Sequence, residues 1–261
     1  DWPFCAARLR RFLRVVGARF DLAHQIKPAA LRYASPLRGQ GLPYVIGPLG
    51  GALAMPPAFA PEAGGGGWFT RLRALDGLRL RRDPWLRATF REAALVLGAA
   101  PYVGEILAGA GLVPRRYANL YAIGVDALAP PALPPAPGDG LRLLHVGLAV
   151  RTKGLRDTLR ALALLSDRPG IPLVSAGDGA DLAACRAEAA ALGIAGRVTF
   201  HGHLPRARVE DLYAAADVFV FPSFREPAGQ VLYEAMRWGL PVVTVARGGP
   251  DAIVAESCGI K

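Results

Sequence analysis

Apolar positions near the start of the chain recur at helical spacing. Leu9, Phe12, Leu13, Val16 and Phe20 fall at i, i+3, i+4, i+7 and i+11, with Arg8, Arg11 and Arg14 mostly off that stripe. The stretch "FCAARLRRFLRVVGARF" therefore predicts a basic amphipathic helix. Beyond it the period changes: "DLAHQI" and "LPYVIG" are short apolar runs bounded by Gly and Pro, the pattern of buried strands. "EAALVLGAA" fits a strand or a buried helix equally, because a short continuous apolar run carries no period. Pro and Gly then dominate "PALPPAPGDG", where no regular element continues, and a domain linker is expected at 128–140.

From residue 141 the rhythm is regular. Strands "LRLLHVG", "IPLVSAG", "RVTFHG", "DVFVFPS" and "PVVTVA" alternate with helices "LRDTLRALALLSD", "DLAACRAEAAALG", "ARVEDLYAAA" and "AGQVLYEAMRWG". Such alternation specifies a parallel sheet covered on both faces, with ligands beyond the carboxyl ends of the strands. The class is α/β, with two domains predicted at 1–127 and 141–261.

Composition narrows this further. The 261 residues are 52% hydrophobic and 20% charged, which excludes a mainly disordered chain. The longest apolar run, Ala93 to Gly104, is broken by Pro101 and stopped by Glu105. It falls well short of the ~20 residues a membrane span needs. Cys5, Cys185 and Cys258 lie far apart, which fits neither a disulfide framework nor a zinc knuckle and suits a reducing cytoplasm. The absence of a leader and the ending "ESCGIK" lead us to expect a fragment. Residues 1–140 carry 17 basic and 9 acidic side chains, a balance of +8, against +2 for 141–261. That asymmetry points to an anionic partner without saying which.

Candidate chemistry gathers at the predicted strand ends. In "PSFREPAGQVLYEAMRWGLP", Glu226 precedes a helix expected from about Ala228 to Trp238, and Glu234 lies within it. The N–H groups of Gly229, Gln230 and Val231 at the helix start suit a phosphate. The competing reading is a solvated Glu226 with Glu234 paired to Arg225 or Arg237. "HVGLAVRTKGLRD" brings Gly147, Arg151, Lys153 and Gly154 to the mouth of the sheet, where a point charge, a guanidinium fork and backbone amides meet the needs of a diphosphate. These could equally be basic residues of a solvated loop. In "VSAGDGAD", Gly177 and Gly179 allow close backbone approach and Asp178 could cap the next helix. His201 and His203 have a metal-compatible spacing but no Cys or carboxylate pair nearby in sequence. His203 reads better as a pocket residue or a strand cap.

Taken together, these stretches resemble the nucleotide-sugar-binding domain of the family 4 (group 1) glycosyltransferases, retaining enzymes of the GT-B architecture, with two Rossmann-like domains facing a cleft. The likeness runs through "LLHVG", "KGL", "SAGDG", "VTFHGHL", "ADVFVFPS", the two glutamates separated by seven residues, and "GLPVVTVARGGPDAIV". "FDLAHQI", "LPYVIGPLGG", "ALVLGAAPYVGEIL" and "IGVDAL" are similar to the later part of the acceptor domain, whose first strands would be missing here.

The resemblance implies transfer of a sugar from a nucleoside diphosphate donor to an acceptor hydroxyl with retention. It makes Lys153 and an arginine the holders of the diphosphate, Glu226 the sugar contact, Glu234 the ribose contact, and Gly229 with Gln230 and Val231 the phosphate amides. Gly147, Gly177, Asp178 and His203 would complete the donor site. His24, Gly50 and Gly51 would border the acceptor. No metal or other cofactor is required if cations and amides carry the leaving-group charge. The family's arginine after the strand-end glycine is Leu148 here, so its role passes to Arg151.

The partners implied are a nucleotide sugar and a sugar or lipid-linked acceptor. The basic first helix, with Trp68, Phe69, Arg71 and Arg73, suits peripheral contact with an anionic membrane face, against the plainer reading of packed helices. Rival readings are a sugar-nucleotide epimerase or hydrolase of the same architecture, and a basic nucleic-acid-binding module with steep salt dependence. The last is disfavoured because the site-like residues lie in the less charged half.

Overall fold

The computed structural model describes residues 2–59, 61–62, 75–121 and 140–261. The chain divides into two compact units, Asp1–Ala54 with Gly64–Ala122, and Met55–Ala63 with Ile123–Lys261. The expected linker, apart from Gly140, lies outside the described residues, as do Trp68, Phe69, Arg71 and Arg73 and the stretch "IGVDAL".

In the first unit β1 (Ala23–Gln25), β2 (Tyr44–Leu49), β3 (Leu95–Gly98) and β4 (Tyr117–Asn119) form a parallel sheet in that order. "EAALVLGAA" thus resolves as a strand. Tyr44, Ile46, Leu49 and Val96 make its interior, together with Leu86 and Phe90 of α3 (Pro84–Glu92) and Val103 and Leu107 of α4 (Tyr102–Gly109). Each such buried side chain contributes roughly 1.5–3 kcal/mol. α2 (Asp76–Arg82) comes just before α3. α3 starts where it does because the Asp83 carboxylate accepts from the N–H groups of Trp85 and Leu86, at 3.0 and 3.1 Å, while Pro84 occupies the first helical position.

α1 (Trp2–Val16) forms as expected, but its expected buried stripe does not. Only Leu13 is buried, while Leu9, Phe12 and Phe20 are exposed. The helix stops at Val16, and the tight turn Gly17–Arg19 breaks its phase, leaving Phe20 extended. The side that packs runs instead through Trp2, Ala6, Arg10 and Leu13.

In the second unit six parallel strands lie in the order β10-β9-β8-β5-β6-β7. They are β5 (Leu143–Val146), β6 (Leu173–Ala176), β7 (Val198–Gly202), β8 (Val218–Val220), β9 (Val242–Val243) and β10 (Gly259–Ile260). The helices are α5 (Leu155–Leu164), α6 (Leu182–Ala191), α7 (Arg206–Ala215), α8 (Gln230–Arg237) and α9 (Gly248–Ile253). Leu155, Leu159, Leu173 and Cys185 form one apolar cluster. Leu144, Phe219, Leu232, Ala235 and Val242 form another. The chain proceeds from β5 through β6 to β7 on one side, then returns to place β8 on the other side of β5. This reversal makes the carboxyl ends of β5 and β8 the topological switch point, where open parallel sheets hold ligands.

Candidate functional site

The loops leaving β5 and β8 carry Lys153 and Glu226, and the fold brings these residues into contact across 73 positions of sequence. The Lys153 ammonium donates to Glu226 Oε2. Glu226 Oε1 accepts from the N–H groups of Ala228 and Gly229, at 3.1 and 3.0 Å, just before α8. One carboxylate, 9% exposed, therefore lies between a cation and two amides at the positive end of a helix. The Lys153 ammonium also sits 5.5 Å from the centroid of the Phe221 ring.

Backbone packing fixes these loops. Gly154 has φ +79°, and a Cβ there would fall on the Pro222 carbonyl. Ser223, fully buried, donates its hydroxyl to the Thr152 carbonyl at 3.0 Å. The Gly249 N–H donates to the Glu226 carbonyl at 2.9 Å, tying in the first turn of α9. At the neighbouring strand ends, a Cβ on Gly177 (φ +139°) would fall on the Gly147 carbonyl, and one on Gly147 would crowd Phe221 at 3.2 Å. Glycine at 177 is a steric requirement, whereas at 147 a side chain would need the Phe221 ring to shift by a few tenths of an ångström.

Glu234 lies one turn into α8 and accepts from the Tyr213 hydroxyl at 3.2 Å and the Gln230 amide at 3.2 Å, with Arg206 at 3.5 Å. Burial, with Glu234 beside it, pushes the Tyr213 phenol well above its ordinary pKa. His145, fully buried on β5 beneath the lysine loop, faces the Lys153 carbonyl at 3.3 Å. Burial pushes its pKa down to about 4, so it is neutral at pH 7.

Other expected residues are placed differently. Arg151 is paired with two acids. Its guanidinium side chain is 5% exposed and binds both oxygens of Asp157, at 2.6 and 3.0 Å, and Glu62 at 2.8 Å. Burial opposes its charge, yet the two carboxylates hold its pKa above the usual value. Of the expected phosphate amides, that of Gly229 is already taken by Glu226. Gln230 and Val231 begin the helix itself, which is shorter than expected. Asp178 caps no helix: it accepts from the adjacent Gly179 N–H at 2.7 Å, and Asp181 is the residue before α6, where it pairs with Arg156. His203 is exposed just past β7.

Within the first unit, the Nε2 atom of exposed His24 lies 2.8 Å from the Gly47 carbonyl. The Gly50 N–H donates to the Ala29 carbonyl at 2.8 Å, and Gly51 turns with φ +78°. Sequence reasoning missed Tyr213, Phe59 and Glu62. Only Tyr213 had a local signal, as the one hydroxyl on the helix "ARVEDLYAAA".

Residues 134–258 match the family described as Glycosyl transferases group 1. The lipopolysaccharide core biosynthesis glycosyltransferase LpsE of Rhizobium meliloti (strain 1021) is 31% identical over 175 residues, 66% of this chain and 50% of that protein. A D-inositol 3-phosphate glycosyltransferase of Streptomyces griseus is 37% identical over 133 residues, 47% of this chain and 28% of that protein. The chain thus spans half or less of these relatives' length. Among solved structures, Anabaena HepE in complex with UDP superposes with a TM-score of 0.65 at 20% identity, covering 98% of this chain and 67% of that one. The lipopolysaccharide outer core galactosyltransferase WaaB does so with 0.61 at 15% identity, covering 98% and 65%. The fold, two Rossmann-like α/β units, is that of the GT-B glycosyltransferases. Residues 134–258 are thus similar to the group 1 glycosyl transferases.

Proposed function

We propose that this chain contributes the donor site of a retaining glycosyltransferase that moves a sugar, most simply a hexose, from a nucleoside diphosphate to an acceptor hydroxyl. One observation carries the reading: the Glu226 carboxylate lies where the Lys153 ammonium and the amides of Ala228 and Gly229 converge. An anion position is already built there, and a diphosphate oxygen is a stronger ligand for it than a carboxylate. Donor binding draws Lys153 to the phosphates and releases Glu226 toward the sugar hydroxyls. The bond from the anomeric carbon to the diphosphate oxygen then breaks. Its electron pair leaves with the diphosphate, whose charge Lys153 and the helix end stabilise. The acceptor oxygen bonds to the same face of the sugar and gives its proton to an oxygen of the departing diphosphate. In this reading Glu234, held by Tyr213 and Gln230, takes the ribose hydroxyls. Leu148 cannot supply the arginine of the family pattern, and Arg151 is committed elsewhere, so Lys153 is the principal cation of this reading.

Because lysine and amides neutralise the leaving group, turnover is expected to persist in a chelator. The proposed acceptor is a sugar or a lipid-linked sugar. Phe4, Phe12 and Val15, exposed on α1 beside Arg8 and Arg11, support contact with an anionic membrane face. Vesicle sedimentation of the Phe12→Ser variant tests this, and unchanged binding would discard it. The donor reading is tested by thermal stabilisation with a panel of nucleoside diphosphates and their sugars. Turnover of Lys153→Ala, Glu226→Ala and Glu234→Ala follows, with product analysis to separate transfer from hydrolysis. Stabilisation by one nucleotide class, lost in Lys153→Ala, is expected. Wild-type turnover in all three variants refutes the assignment.

A further inference from the structure

Met55–Ala63 belongs to the second unit although it lies in sequence between β2 and α2. Two of its side chains reach the loops that carry the anion position. Phe59 stacks on Phe224, ring centroids 4.2 Å apart and planes 13° apart. Glu62 accepts from the Arg151 Nε–H at 2.8 Å and from both terminal nitrogens of Arg160 at 3.1 Å. The Arg151 guanidinium lies against both rings, 5.3 and 5.2 Å from the centroids of Phe59 and Phe224. The two contacted residues have one relation in common: Phe224 stands two positions before Glu226, and Arg151 two positions before Lys153.

We propose that Phe59 and Glu62 are positioning residues for the donor site, a strap that holds the loops after β5 and β8 in register so that Lys153 and Glu226 meet the diphosphate preformed. The proposal rests on the donor reading above. Its physical basis is the cost of ordering a long lysine side chain on a loop, which is reduced when the loop is fixed beforehand. Arg151 makes the strap effective. Asp157 occupies its two terminal nitrogens, so its Nε–H depends on Glu62, and a buried donor left unpaired drives the loop to rearrange. The Phe59 ring completes the apolar cover of the same guanidinium. The arrangement also explains why Arg151, a candidate for touching the diphosphate, is instead buried: it acts on the donor through Lys153.

The test is a calorimetric titration of the intact chain with UDP and, in parallel, inorganic pyrophosphate, so that selectivity for the base does not hide binding. Phe59→Ala, Glu62→Ala and the conservative Phe59→Tyr are measured alone and combined with Lys153→Ala, with melting temperatures recorded for each. Phe59→Ala and Glu62→Ala are expected to weaken both ligands about tenfold with Lys153 present and less than about twofold in the Lys153→Ala background, since coupled residues are not additive. Phe59→Tyr is expected to restore affinity to within about twofold of wild type. Equal losses in both backgrounds would assign the strap a merely structural role and overturn the proposal. Unchanged affinity in Phe59→Ala and Glu62→Ala would overturn it too, and would leave the donor reading intact provided Lys153→Ala still loses binding. If Lys153→Ala itself binds both ligands like wild type, the donor reading fails and the strap proposal falls with it.

Discussion

The two units share one plan, a parallel sheet with helices, but they use charge in opposite ways. The half of the chain with the larger positive balance leaves much of it on the surface: Arg8, Arg11 and Arg14 of α1 are exposed, and among the described residues of the first unit the ion pairs are Arg32–Asp76 and Arg79–Asp83. In the nearly balanced second unit, cations and carboxylates are fitted to each other, as in Arg142–Asp217, Arg156–Asp181, Arg160–Glu188 and the Lys153–Glu226 contact. Net charge indicates the sign of a partner. A site arises where a cation is held by packing beside oriented amides, and that requires neighbouring acids to be placed as carefully as the bases.

The sharpest way to break this contrast is at the anion position. Lys153→Ala is expected to cost about 3–4 kcal/mol of transition-state stabilisation, a fall of about 10²–10³ in turnover by steady-state assay. Removing a surface charge of α1, as in Arg11→Ala, should change it little. Next in size is a steric comparison. Gly177→Ala forces a Cβ onto the Gly147 carbonyl and should destabilise the protein by about 3 kcal/mol or more in denaturant melts. Gly51→Ala in the first unit shares a positive φ but meets open space, and should cost only about 1–2 kcal/mol. Equal penalties would mean that the strand-end turns of the second unit are not close-packed.

The third prediction concerns pH. His145 has a folded pKa below its ordinary value near 6.5, so the unfolded chain binds the extra proton first as pH falls. Stability should be complete above about pH 6.5 and decline toward pH 4, by up to about 3 kcal/mol. A His145→Gln variant should flatten that slope in melts followed across the range. The smallest effect is a difference in labelling. Burial pushes the Cys185 thiol up to about 12, whereas Cys5 is exposed on α1. A thiol reagent should therefore modify Cys5 in the native protein and Cys185 only on unfolding, as peptide mapping would report.

How far the sequence disclosed this molecule depended on where the information sits. The alternation after residue 141 revealed the second sheet because strand and crossover helix have different periods, and Lys153 and Glu226 stood out because both follow strands. The Asp83–Pro84 pair, whose capping chemistry starts α3, was not read from the sequence. The buried side of α1 was misjudged because the period admits several neighbouring stripes, and the turn at Gly17–Arg19 takes Phe20 off all of them. The acid partners of Arg151 were not foreseen for a different reason: a lone arginine in a loop reads the same whether it faces solvent or two carboxylates. One of those carboxylates, Glu62, lies 89 residues away. Contacts of that range have no local signature, which also kept Phe59 out of view.

The most direct test of the anion position is the affinity of the protein for inorganic pyrophosphate, compared by calorimetry between wild type and Lys153→Ala. Measurable binding in wild type and a loss of at least about tenfold in the variant are expected, since a hydrogen bond to a charged group is worth about 1.5–3 kcal/mol. Equal affinity in the two proteins would contradict the account.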